Sequence, residues 1–403
     1  MRACIITKPN ARSRITGMSR EPRTERVGAW SATTAVRTRT DEQVALALSS
    51  TEQLTRAQLA EMTGLSKPTI SQSILRLESL GLVQDTGMRT ATRGGVGTFY
   101  ALDEAFTRGM AVRLDPETVV AEIVDIRGLV SAHVSRPINR PVNPVDVVSS
   151  LESCAEELAI SATGKVPVAV VSAADPVDRH TGSIVELPAS PFLLGHVPVA
   201  DILAPFATGT VLVDNDVNWA ARAEHRATAE QLSGDFVYLS LGEGIGAAVV
   251  SDGTVVQGHS GLAGEVLHVL TAGPQGAAMT FTELVDRLGI RYPASPSIDV
   301  AGLRNTLDID PEVVGILADG LSGLLVAAVA FLDPEAIVIG GSWGTHEKLL
   351  KALAASFARH PRSVMLRAAR VRSEPSLQGV RQQVVHELRE HLVSRIRQDS
   401  PLR

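Results

Sequence analysis

The sequence predicts an α/β protein with a small helix-turn-helix unit in front of a larger alternating domain. Three observations carry that reading. From Gly109 onward, short runs rich in Val and Ile alternate with helical stretches, as strand–helix folds require. Between Asp41 and Leu102, two capped helices flank a glycine turn and lead into two strands. The chain has 403 residues, 44% hydrophobic and 20% charged, enough for two or three domains with sizeable cores.

Residues 1–40 hold nine basic residues against two acidic ones, are rich in Ser, Thr and Arg, and lack an apolar period, so a disordered basic tail is expected there. The pattern changes at Asp41, where DEQVALALSS reads as a helix. In TRAQLAEMTG, Thr55 is placed to cap, Leu59 and Met62 to share a face, and Gly64 to stop the helix. Ser66 caps the next helix, Pro68 suits its first turn, and Ile70, Ile74, Leu77 and Leu80 repeat at helical spacing before Gly81. LVQDTGMRTATRGGVGTFYAL then reads as strand, glycine-rich turn and strand.

Residues 41–104 thus resemble the winged helix-turn-helix of bacterial repressors. In such domains the start of the second helix enters the major groove. The positions that match are Lys67, Thr69, Ser71 and Gln72, with Arg89 and Arg93 on the wing. Gln can address adenine, and Lys guanine or phosphate. Five basic residues stand against six acidic ones in 41–100, so binding must rest on charge placement rather than on net charge.

The larger domain, 109–403, begins with GMAVRLDPETVVAEIVDIRGLVSAHV, three strands joined by two turns. KVPVAVVSA is a further strand, and GTVLV runs into VDNDVNWAARAEHR, an acidic strand end followed by a helix. DFVYLSLGEGIGAAVVSDGTVVQG gives two strands across a glycine turn and a third across an Asp-Gly turn. AIVIGGSWG is a last buried strand ending in glycines. No run of eighteen apolar residues predicts a membrane span. Cys4 and Cys154 lie far apart, which argues for a reducing compartment, hence the cytoplasm.

The segments DPVDRHTGSI (175–184), VDNDVNWAA (213–221), LGEGIGAAVV (241–250), GLAGEVLH (261–268) and FLDPEAIVIGG (331–341) resemble the ROK family of repressors and sugar kinases, in family order. The resemblance implies an actin-like, two-lobed, ribonuclease H-like fold with an open cleft, and a sugar-responsive repressor where a winged helix precedes it. Asn215, Asp216, Glu265 and His268 match sugar-holding positions, and Glu283 is a less secure match. In the family's kinases the acid at Asp216 is the catalytic base.

The phosphate loops depart from the kinase pattern. The first reads Asp115 to Thr118, DPET, where Pro116 has no N–H to donate and Glu117 adds charge. The second keeps its glycines but carries Glu243. A carboxylate about 4 Å from a phosphate charge costs roughly 4 kcal/mol at an effective dielectric near 20. On this reasoning the chain is expected not to bind ATP and not to be an enzyme, with Asp216 sensing a ligand rather than activating it. No cofactor is expected. No zinc is expected either, since His268 is followed by no cysteine or further histidine in VLTAGPQGAAMTFTELV; Met279 and Phe281 are expected to pack that loop instead. The turn around Ala189 lacks the family's amide. In VRQQVVHELREHLVSRI, Val380, Val384, Val385, Leu388, Leu392 and Ile396 share a helical face, read as core or dimer interface. The combined expectation is a cytoplasmic, nucleoid-associated regulator, a homodimer or tetramer, on a palindromic double-stranded operator, answering a sugar or sugar phosphate.

Overall fold

The computed structural model describes residues 32–399 apart from 93–94, 141, 163, 188–196 and 294. Arg93 and Ala189 lie outside the described residues. The first domain consists of α1 (Ala32–Leu48), β1 (Leu54–Thr55), α2 (Arg56–Thr63), α3 (Lys67–Ser79), β2 (Val83–Thr92) and β3 (Gly95–Leu102). Its sheet has the order β1-β3-β2. Helix α1 starts at Ala32, inside the stretch expected to be tail, because Thr38, Val44, Ala45 and Leu48 of that helix are buried against the rest of the domain. The caps fall as read. The Thr55 hydroxyl accepts from Gln58 N, Gln58 reaches back to Thr55 N, Gly64 is left-handed, and Ser66 accepts from Thr69 N. Leu59 is buried, whereas Met62 is 54% exposed: one turn on, it has rotated off the core face.

The larger domain has two lobes with the same strand plan. Lobe I contains β4 (Arg108–Leu114), β5 (Thr118–Asp125), β6 (Val130–Pro137), α4 (Pro144–Ser161), β7 (Val166–Ala173), α5 (Val199–Leu203) and β8 (Ala207–Asn215). The sheet order is β6-β5-β4-β7-β8, three antiparallel strands and then two added in parallel. Helix α6 (Asp216–Thr228) leads to lobe II, with β9 (Phe236–Leu241), β10 (Ile245–Ser251), β11 (Thr254–Val256), β12 (Leu270–Ala272), β13 (Ala278–Thr280), α7 (Phe281–Leu288), α8 (Val300–Ile309), α9 (Pro311–Leu332), β14 (Ala336–Gly340), α10 (Glu347–Phe357) and β15 (Met365–Ala368). Its main sheet, β11-β10-β9-β14-β15, repeats the order of lobe I. This is the actin-like plan.

By length and apolarity α9 could cross a membrane, contrary to the expectation from run length. Here it is a core helix of lobe II, with Leu317, Leu321 and Leu325 buried against Phe281, Ile337 and Trp343. Met279 and Phe281 are buried in the same core.

The last helix, α11 (Pro375–Asp399), returns to lobe I. Its residues Val380, Val384, Leu388, Leu392 and Ile396 are buried in one continuous core with Val44, Leu48 and Leu77 of the first domain, Val170 of β7 and Trp219 of α6. Buried Glu122 of β5 receives Arg381 in a two-pronged pair at 2.6 and 2.7 Å, and Arg397 holds Glu42 of α1 at 2.7 Å. The helical stripe read as core or dimer interface is therefore core, and it joins the two domains.

Candidate functional site

The strand β8 ends in two aspartates with different fates. Asp214 is buried and fully committed: it accepts from Asn215 N, Asn218 Nδ2 and Gln257 Nε2 and pairs with Arg222 at 2.7 Å. Asp216 opens α6 and faces the cleft between the lobes. Asn215, Asp216, Glu265 and His268 all line that cleft, together with Asp115 and Glu243. Asn215, however, works for the fold. Its Oδ1 caps α6 at Val217 N, 2.9 Å away, and its Nδ2 donates to the Asp175 carbonyl at 3.2 Å.

Glu265 is delivered from lobe II by the loop before it. Gly264 sits at φ +100°, and a Cβ there would meet the Ala247 carbonyl oxygen at 1.8 Å, so only glycine lets this loop lie on β10. The same loop is tied to lobe I. Arg179 donates to the Gly258 carbonyl at 2.7 Å, and His180 Nε2 to that of His259 at 2.9 Å. Glu283 lies elsewhere: it is exposed and completes a capping box with Thr280 at the start of α7. Among the described residues, no group of three or more His, Cys, Asp or Glu is placed to hold a metal ion.

Two carboxyls in the cleft are displaced from their usual range. Burial pushes Asp216 up to about 7, against the Val217 N–H, and the charges of Asp175, Glu265 and Asp115 add to the rise. Burial likewise pushes Glu265 up to about 7, with Asp175 adding to it. Sequence reading had not singled out Asp175, although it stands just past the end of β7, where open α/β sheets place ligand contacts.

At the phosphate-loop end, the N–H groups of Glu117 and Thr118 are taken by the Asp115 carboxylate, at 2.9 and 2.7 Å. Arg140, from lobe I, binds Glu243 of lobe II at 2.6 Å, lies 3.7 Å from Glu117 and stacks over Tyr292. The two carboxylates expected to repel phosphate thus share a guanidinium, which offsets the charge of one of them and leaves the trio net negative.

On the first domain, Lys67 and Gln72 are exposed at the start of α3 and Ser71 is half-buried. The Thr69 hydroxyl is engaged with Ser66 Oγ at 2.7 Å. Arg89 is held two-pronged by Asp85 at 2.8 and 2.9 Å, so this wing cation is already partnered.

Fold and cleft together define a two-lobed, actin-like domain carried behind a winged helix-turn-helix. The ROK family model matches residues 117–281, and a winged helix-turn-helix DNA-binding model matches 37–84. The chain thus carries a ROK-family domain behind an N-terminal winged helix-turn-helix DNA-binding domain. The N-acetylmannosamine kinase of Citrobacter koseri is 29% identical over 248 residues, 58% of this chain and 81% of that one. The Salmonella typhi enzyme of the same name gives 29% over 58% and 80%. Among solved structures, a ROK family transcriptional regulator, a homolog of the E. coli MLC protein, superposes with a TM-score of 0.60 at 17% identity, covering 89% of this chain and 99% of that one. The ROK hexokinase from Thermus thermophilus gives 0.54 at 25%, covering 70% and 99%.

These relatives correct the expectation that the chain is not an enzyme. Kinases match it across four-fifths of their own length. The charge argument against phosphate is weakened by Arg140, which pairs with Glu243. An acid poised near 7 is also what a general base requires.

Proposed function

We propose that the chain is a transcriptional regulator that binds a roughly palindromic operator as a homodimer and answers a sugar held in the cleft. One observation carries this reading: α6 begins in the cleft at Asp216 and lies along α11, whose buried face is also core of the DNA-binding domain. A ligand that draws Asp216 and Glu265 together favours lobe closure, and α6 and α11 pass that movement to α1. Lys67 and Gln72 read the operator. Such a protein works in the cytoplasm, beside DNA.

The test begins with selection of genomic fragments by the purified chain, followed by a panel of sugars and sugar phosphates scored by thermal shift and operator release. A hydroxyl bonded to a carboxylate contributes about 1.5–3 kcal/mol, so Asp216→Asn should weaken the sugar response roughly ten- to hundredfold and leave operator affinity intact. Equal release of wild type and variant would make Asp216 a fold residue only. Retention of no fragment at low salt would end the regulator reading.

A second reading is favoured by the kinase relatives: ATP-dependent phosphorylation of an N-acetylated hexosamine, with Asp216 as base. Phosphoryl transfer from ATP to N-acetylmannosamine, lost in Asp216→Asn, would establish it. No transfer under conditions where the sugar binds would set it aside.

A further inference from the structure

A groove separates the beginnings of α1 and α3. Val36, Arg37 and Thr40 form one wall, and Pro68, Thr69 and Gln72 form the other. Residues 36, 37 and 40 share this side of α1 because they fall within one turn on one face. Gln72 is among the residues expected to read base edges, so the groove borders the part of α3 meant for the major groove. Arg76 closes its far end, but its charge is committed to Asp41, which also accepts from Ser73.

Arg37 is exposed, and among the described residues no hydrogen bond or ion pair holds it. Three acids of the first domain are taken by other cations: Asp41 by Arg76, Glu42 by Arg397 and Asp85 by Arg89. The first domain thus pairs three of its acids internally or with α11 and leaves the guanidinium of Arg37 free next to a base-reading residue. A guanidinium fork fits a phosphate in two-pronged fashion.

We propose that Arg37 is a phosphate-binding residue of the DNA interface: when α3 enters the major groove, the groove between α1 and α3 receives the flanking backbone and Arg37 grips it. The proposal rests on the DNA-binding reading above. It places a functional residue in the stretch that composition had assigned to a tail.

The experiment uses the full chain, the selected operator duplex and a scrambled duplex of equal length, with affinity measured by anisotropy across a salt series. The proposed dimer carries two copies of Arg37, and loss of each phosphate contact lowers the slope of log K against log salt by about 0.9, so the deficit of Arg37→Ala should shrink roughly 12-fold as salt rises from about 50 to 200 mM. The deficit should be alike on both duplexes, and Arg37→Lys should restore the slope. Gln72→Ala should instead lose discrimination between the duplexes with the slope kept. An unchanged slope in Arg37→Ala, or a loss confined to the operator, overturns the proposal while DNA binding stands. A wild type that binds neither duplex brings down both.

Discussion

Replacing Asp216 with Asn removes one ionisable group from the floor of the cleft and leaves its shape nearly unchanged. The wild-type carboxyl is raised from 3.8 to about 7, chiefly by burial. Below the ordinary aspartate range the folded and unfolded chains both carry the proton. Between about 4 and 7 the unfolded chain releases it and the folded chain keeps it, so the cost of the buried carboxyl grows with pH and is fully present above 7. At 1.36 kcal/mol per unit, the rise from about pH 5 to pH 7 amounts to roughly 3 kcal/mol, reduced to about 2 because the cleft admits water and Glu265 shares the effect. The stability of Asp216→Asn relative to wild type should therefore climb by about 2 kcal/mol between about pH 5 and pH 8. Urea unfolding followed by tryptophan fluorescence, to which buried Trp219 on α6 and buried Trp343 in lobe II both contribute, reads this. A constant difference across that range, or a variant that loses ground as pH rises, would mean that Asp216 is an ordinary ionised carboxylate and that the description of the cleft is wrong.

Gly379→Ala tests the contact between α6 and α11. The added Cβ would stand 2.1 Å from the Trp219 carbonyl oxygen, so the helices must part, at about 1–3 kcal/mol in urea and with a blunted operator response to sugar; a neutral substitution would refute the close approach. Arg381→Ala leaves Glu122 buried beside His133 and should destabilise the chain by about 3 kcal/mol at neutral pH. Arg381 and His133 hold the Glu122 carboxyl below its usual range against its burial, so that stability is present above the ordinary glutamate range and lost on acidification. The deficit should shrink in acid, and one that stays constant would show that the pair does not set it.

The winged helix was legible because its ends are marked chemically. Thr55, Gln58, Gly64 and Ser66 are local signals that act on neighbouring backbone. The start of α1 was hidden, since Thr38 and the residues around it carry no apolar repeat, and Thr38 itself is buried only by what folds over it. Asp216 was legible from its place at the end of an apolar strand. Asn215 and Glu283 were legible as polar residues but not in their roles, because an oxygen acceptor that suits a sugar hydroxyl suits a helix N-terminus equally well. Arg140 was invisible for a different reason. Its partner Glu243 is far along the chain, and only the approach of two lobes makes them neighbours.

The last helix has a bearing on how the molecule comes into being. Leu388, Leu392 and Ile396 complete a core begun by Val44 and Leu48, more than three hundred positions earlier. A ribosome that has released the first hundred residues has therefore released a domain with one wall missing. Contacts of such long sequence separation form late. On the regulator reading proposed above, a product broken off before α11 is therefore expected to hold the operator less tightly than an intact copy.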